Sequence, residues 1–374
     1  LLRWLLLWLD RRPLQLGLAP EARARLGAVG WWGLASVLII GSLALNAPGY
    51  VGDQYDRFVH QSGSGVTGGD VRTRLFDPSN NGRLMYWDVA LDAFGDASLH
   101  GQGAGTYQLL WAKDRPPSSG GGYVRDAHSL YTEVLGELGI VGLLLLAGTI
   151  VTVFFGFARG IRGPNRTLYG VLLAAGVAWA LHAAVDWDWE MPVVTIWVFA
   201  LGGAALAARS TSKPPSRRLS LPARALIGAA LTLLALVPAH VGVSQGRLDE
   251  SLDAYRRGDC RQAIDSARSS SSVLGSRPQP YEVIGYCYLR QGADRQAVGQ
   301  MEKAVERDPD NWVYRYDLAL AQGASGLDPR SAARAALRLN PLEPLTQEVV
   351  TRFQTSNVRK WKRTAKTLER EVGL

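Results

Sequence analysis

Long apolar runs punctuate the chain as far as residue 243 and are absent beyond it. A helix needs about 20 apolar residues to cross the hydrocarbon core of a bilayer. Five segments approach that length: Gly27–Leu45, Gly139–Ala158, Leu168–Val185, Pro192–Ala208 and Pro222–Val243. Each carries Gly or Ala, residues that let membrane helices pack closely. Five such segments in series argue against buried helices of a soluble protein. Leu1–Leu9 reads as the end of a further apolar helix, and the chain as a piece of a longer polytopic protein. No basic segment precedes that stretch, so a signal peptide is not expected. The pattern predicts an all-α protein: a polytopic transmembrane helix bundle over 1–243 with a large extracytoplasmic loop at 46–137.

Charge orients the spans. Arg11, Arg12, Arg23 and Arg25 precede the first complete span. Arg159, Arg162 and Arg166 follow the second, and Arg209, Lys213, Arg217 and Arg218 follow the fourth. The short connection between the third and fourth instead holds Asp186, Asp188 and Glu190. The basic connections all fall on one side, which the positive-inside rule makes cytoplasmic. Loop 46–137 and everything after Val243 are then expected outside, in a cytoplasmic (inner) membrane protein. The net charge of +8 is explained by these flanking residues, and nucleic-acid binding is not expected.

Beyond the last apolar run, Gly258, Gly292 and Gly326 recur every 34 residues. Ala263, Ala297 and Ser331 keep that register, as do Ala267, Met301 and Ala335, and Leu252, Tyr286 and Leu320. A 34-residue period with small residues at fixed offsets resembles the tetratricopeptide repeat. "AVERDPDN" and "ALRLNPLEP" are similar to that family's repeat ends, with Pro309 and Pro341 as helix stops. The resemblance implies an α-solenoid of about three repeats over 246–342, followed by a helical basic tail at 343–374. Such solenoids present concave surfaces to partners, although the domain has a plainer alternative role as a brace for the membrane part. Cys260 and Cys287 show no zinc spacing. Two buried free thiols are expected rather than a disulfide.

The loop holds the polar residues that suggest chemistry. Residues 61–69, "QSGSGVTGG", read as flexible. In "NGRLMYWDVALDAF", Leu84, Trp87, Leu91 and Phe94 form one helical stripe, with Asn80 or Asn81 as cap and Arg83 in the first turn, off the stripe. Gly101, Gly103 and Gly105 follow in "HGQGAGTY", where alternating glycines allow close backbone approach to a ligand; outside a strand–helix crossover they are no nucleotide fingerprint. "DAHSLYTEVLGELGIVG" then begins a helix at Asp126 that enters the membrane, with His128 near its start. Asp186 lies four residues after His182 on one expected helix face. Polar groups there are either functional, paired or solvated. Trp187 and Trp189 suit an interfacial belt, and His240 reads as a helix-packing residue.

These segments, with "HAAVDWDWEMP", resemble the O-antigen ligase and polymerase family of envelope glycosyltransferases over roughly residues 70–200. An Arg opens the family's first pattern, a Gly-x-Gly follows an apolar helix, and a His opens "HSLYTEVLGELG". The chain departs at Ser98-Leu99-His100, where Pro-Leu is common. The resemblance implies an inverting, metal-independent membrane glycosyltransferase without a cofactor. It would pass a glycan from undecaprenyl diphosphate to an acceptor hydroxyl at the outer membrane face, among membrane lipids. Arg83 would stabilise the leaving diphosphate with its planar fork. His128 would either take the acceptor's proton or bond phosphate as imidazolium. Gly101, Gly103, Gly105, Arg125, His182 and Asp186 are the candidate substrate-binding residues, with Arg115 a weaker one. The other function class is a non-catalytic membrane scaffold whose repeats recruit envelope-assembly partners. Such a scaffold has no need of Arg83 and His128 together.

Overall fold

The computed structural model describes residues 47–60, 80–119, 122–208 and 220–371, which form 14 α-helices and no strand. Gly27–Leu45, the stretch 61–69, Gly121 and the connection with Arg209, Lys213, Arg217 and Arg218 lie outside the described residues. The chain divides into two compact units, residues 1–82 and 83–374. In the first unit, α1 (Ala47–His60) is followed by the turn Asn80–Gly82. Asn80 donates to the Phe58 carbonyl, and its Oδ1 accepts from Gly82 N at 2.8 Å.

The second unit opens with α2 (Arg83–Asp96), α3 (Tyr107–Asp114) and the 31-residue α4 (Leu130–Gly160). α2 does not bury the large apolar stripe that its sequence suggests. Its buried residues are Val89, Ala90 and Ala93, while Leu91 is 45% exposed. The small face wins because α4 comes too close for large side chains. A Cβ on Gly136 would sit 2.8 Å from the Ala90 carbonyl oxygen.

α4 starts at Leu130, not Asp126, because Ser129 caps it and Asp126–His128 form a turn ahead of it. At Gly139 (φ 64, ψ −165) the helix breaks into two arms. Residues 98–103 wrap around this kink: Ile140 N donates to Ser98 O at 2.9 Å, Gln102 N to Gly136 O at 3.1 Å and Gly103 N to Glu137 O at 2.8 Å. Only glycines fit. A Cβ on Gly139 would stand 2.5 Å from the Leu99 carbonyl carbon, and one on Gly101 2.2 Å from that of Glu137.

The apolar arm of α4 packs with α5 (Arg166–His182) and α6 (Pro192–Ala207) around Phe157, Trp179 and Val198. Among the described residues, α4 and α7 (Leu221–Arg256) are the two helices long and apolar enough to cross a membrane. α5 and α6 have 17 and 16 residues, about 25 Å at 1.5 Å per residue, and fall short of the ~30 Å core. α5 ends at His182 because the turn after it is tied back, with Leu130 N donating to Ala183 O at 2.8 Å. Pro192 starts α6, in the first helical turn where its missing N–H costs nothing.

α7 corrects the expected break at Val243. It runs on for 36 residues, through Pro238, to Arg256. Its apolar part is exposed at Leu226, Leu233, Leu234 and Val237. His240 is exposed too, its ring bonding the Leu236 carbonyl at 2.8 Å rather than packing between helices. The next turns of α7 pack on α8 (Cys260–Val273), where buried Ser244 and Ser270 exchange hydrogen bonds.

Successive helices then stack: α9 (Gln279–Arg290), α10 (Asp294–Arg307), α11 (Trp312–Ser325), α12 (Arg330–Leu339), α13 (Pro344–Arg352) and α14 (Val358–Glu371). The 34-residue register has a local cause. Gly258, Gly292 and Gly326 take φ of 81°, 72° and 80° just beyond α7, α9 and α11, the left-handed turn that ends a helix cheaply only at glycine. The register slips in the third unit. α12 starts at Arg330, four residues after Gly326, whereas α8 and α10 start two residues after Gly258 and Gly292. Ser331 is therefore exposed, and Ala332, Ala333 and Ala336 are buried instead. Cys260 and Cys287 are buried free thiols in one core cluster. The basic C-terminal segment packs on α11 through Trp361, Ala365 and Leu368.

Candidate active site

Arg83 opens α2, and its Nη2 donates to Asp186 Oδ2 at 3.3 Å. The pair is half-buried, and Arg83 Nε is buried with no partner among the described residues. Asp186 Oδ1 accepts from Trp187 N at 2.8 Å, which fixes the carboxylate in the turn after α5. The His182 ring is not paired with the Asp186 carboxylate, although Asp186 N donates to His182 O at 3.1 Å. The helix has ended, and the His182 ring meets Asp188 Oδ1 at 3.0 Å instead.

His128 sits ahead of α4 in a left-handed conformation (φ 52) that few residues other than glycine adopt. Three contacts hold it there. Asp126 Oδ1 accepts from His128 N at 3.0 Å and lies 2.7 Å from His128 Nδ1. Ala127 N donates to Glu133 Oε2 at 2.9 Å. The Tyr86 ring, one turn along α2 from Arg83, lies 5.1 Å from the imidazole, centroid to centroid. With Nδ1 engaged by Asp126, Nε2 is the nitrogen left for chemistry.

Burial disfavours the charged imidazole, but the hydrogen bond and charge of Asp126 outweigh it and leave the His128 pKa raised; the Arg83 charge opposes them. Asp126 shows the mirror image: burial raises its pKa, and the His128 contacts bring it below the usual carboxylate value. Glu133, in the arm of α4 before the kink, is pushed up to about 8, first by burial and then, against the Ala127 hydrogen bond, by Glu137, Glu190 and Asp126. Glu137 has another job. Its carboxylate accepts from Gly105 N and Tyr107 N, both at 2.8 Å, and closes the glycine loop onto α3.

Arg83, Asp186, His128 and Asp126 thus come together, although Arg83 and Asp186 are 103 residues apart. Gly101 and Gly103 lie in the wrap around the α4 kink, Gly105 just beyond it on the Glu137 carboxylate; all three have positive φ, and at Gly101 the close packing also leaves no room for a side chain. Arg125 is exposed, 5.8 Å from the Tyr123 ring centroid. Sequence reading missed Asp126, Tyr86 and Glu133. Asp126 alone left a usable signal, since an Asp two residues before a His suits a turn in which it bonds the following backbone.

A model of the O-antigen ligase family matches residues 2–147. That stretch holds Arg83, the three glycines, Arg125, Asp126 and His128, and ends before His182 and Asp186. None of the curated proteins matches the chain. Among solved structures, the Arabidopsis OM64 TPR domain is 17% identical, over 31% of this chain and 97% of that one, at a TM-score of 0.29. A mutant O-GlcNAc transferase of Thermobaculum terrenum is 19% identical, over 30% of this chain and 22% of that one, at a TM-score of 0.28.

Proposed function

We propose that the protein transfers or polymerises a lipid-linked glycan, carried on undecaprenyl diphosphate, onto an acceptor hydroxyl at the outer face of the cytoplasmic membrane. The observation that carries this reading is the convergence of Arg83 and an Asp126–His128 pair, within the stretch that matches the O-antigen ligase family. In the reaction, the acceptor oxygen bonds to the anomeric carbon as the bond from that carbon to the diphosphate breaks. His128 Nε2 takes the acceptor's proton, and Asp126 steadies the imidazolium that forms. The diphosphate leaves with its extra negative charge facing the Arg83 guanidinium. Asp186 holds that guanidinium in place beforehand. Exposed Leu91 and Leu99 give the same loop apolar surface suited to a polyprenyl chain.

In this reading residues 1–243 form the membrane domain, with loop 46–137 outside, and α7 carries the chain out again. Residues 246–342 form a solenoid of tetratricopeptide-like repeats, also outside, with a surface for a protein partner. The exposed apolar face of α7 and the acidic connection at Asp186–Glu190 support that placement. The experiment is deletion of the gene and complementation, with surface glycans resolved by gel. Short or uncapped glycans in the deletion strain, restored by the wild-type chain, are expected. An unchanged glycan pattern in the deletion strain overturns the transferase reading and favours a scaffold.

A further inference from the structure

Arg115 follows α3 in the middle of the loop and is buried, at 6% exposure. Its Nη1 donates to the Asn340 side-chain oxygen at 2.8 Å and to the Ala112 carbonyl at 3.0 Å. Asn340 lies 225 residues further on, at the C-terminal end of α12, and is buried itself. Burying a guanidinium is expensive unless it is hydrogen-bonded; Nη1 finds both partners while Nε is buried with none among the described residues, so the Asn340 contact is the polar tie where α3 meets α12.

From Arg115 a chain of packed groups leads to the imidazole. Arg115 N donates to Trp111 O at 3.1 Å. The buried Trp111 ring stands edge-on to Tyr86, 5.0 Å between centroids, and Tyr86 lies 5.1 Å from His128. Tyr107 OH donates to Tyr86 O at 2.9 Å, and Trp111 Nε1 to Gly122 O at 2.9 Å, so α3 also fixes the start of the segment that carries Asp126.

We infer that Asn340 clamps Arg115 and, through Trp111 and Tyr86, sets the position of the His128 imidazole, which makes the C-terminal helices a working part of the transfer site. Arg115 and Asn340 are positioning residues: neither touches the reacting atoms. The activity readout rests on the transferase reading, while the structural readout does not. Two discrete ends and a packed path between them are where energetic coupling is expected, and a double-mutant cycle measures it.

The test uses the full-length protein in detergent or bilayer, with Arg115→Gln, Asn340→Ala, the double variant and Arg115→Lys. Loss of the clamp should lower kcat by about tenfold, less than the ~10²-fold that a full 1 Å misplacement can cost. KM for the lipid-linked donor should stay within about twofold, because Arg83 is not disturbed. The double variant should be no worse than either single one. Arg115→Lys, which keeps a charged donor group for the Asn340 oxygen, should recover most of the rate. Hydrogen exchange should rise in residues 107–119 and 122–128 but not in α7–α9. Losses that multiply in the double variant, or unchanged exchange at 122–128, overturn the clamp. If wild-type protein transfers no glycan, the transferase reading fails alone, and exchange at 122–128 still decides the clamp. Should Arg115→Gln unfold, Asn340→Ala against Asn340→Asp makes the same comparison from the other end.

Discussion

Replacing Arg83 by Ala separates a structural arginine from a chemical one by magnitude. Its ion pair with Asp186 is a single contact of 3.3 Å between side chains 22% and 28% exposed. A half-buried pair held by one long contact at the edge of the site contributes about 1 kcal/mol, and Asp186, left alone, can still be hydrated. Folding should therefore weaken by no more than about 1 kcal/mol. The same guanidinium facing a leaving diphosphate is worth far more, about 2.7–4 kcal/mol, or 10²–10³ in rate. Arg83→Ala should thus give a protein at normal membrane level that fails to transfer glycan. Arg83→Lys should restore part of the rate, because an ammonium is a point charge without the bidentate fork. The assay is complementation of the deletion strain, with surface glycan by gel, membrane level by blot and turnover on purified protein. Full-length surface glycan from Arg83→Ala at normal level would refute the site. So would a loss of activity that merely follows a loss of protein.

The remaining predictions concern titration, backbone and topology. If His128 is the base, transfer should be low in acid and rise with pH through a midpoint above 6.5, the direction in which Asp126 moves it; Asp126→Asn should bring the midpoint down and cut the rate, whereas a rate that falls with rising pH would make the ring a phosphate-binding cation. The Asp126–His128 pair stabilises the fold above the usual carboxylate pKa, is lost in acid as Asp126 protonates, and is lost again as pH rises through the raised His128 pKa. Glu133, with its pKa near 8, behaves oppositely to a paired carboxylate: its burial is free of charge below about 4.5 and costs stability as pH rises toward 8, on the order of a few kcal/mol. Glu133→Gln should raise the Tm at pH 8–9 and leave it nearly unchanged at pH 5, and equal shifts at both would refute the assignment. Gly139→Ala should cost more than about 3 kcal/mol, combining a glycine-only conformation with a backbone clash, while Gly105→Ala, which meets nothing within 4 Å, should cost about 1 kcal/mol; similar membrane levels for the two variants would contradict the kink. A reporter fused at Arg330 should give an extracytoplasmic signal, and a cytoplasmic one would break the charge argument.

Much of the helical plan was legible because it is local. The apolar runs that became α4 and α7 announce themselves by length and composition, which are local properties of the chain. The glycine period was legible for the same reason: a left-handed residue just past a helix favours glycine wherever the chain goes next. Arg83 and His128 stood out through the resemblance of their surrounding segments, and chemistry alone would not have singled them out. What those residues touch was not legible. Whether Asp186 or Asp188 faces His182 depends on the helix ending at His182, and that end is set by a bond from Leu130, 53 residues earlier. The buried face of α2 reversed its own apolar pattern because Gly136 of α4 demanded small neighbours. Arg115 read as a weak candidate for binding substrate phosphate and is instead buried against Asn340. The sequence by itself determined an all-helical chain, two of its five expected spans as long apolar helices, the 34-residue register and the loop that bears the candidate chemistry. The tertiary structure alone decided the kink at Gly139, the partners of each charged group and the meeting of α3 with α12. Periodicity and propensity act over a turn or two of chain, whereas these contacts depend on which distant segments share one packed volume.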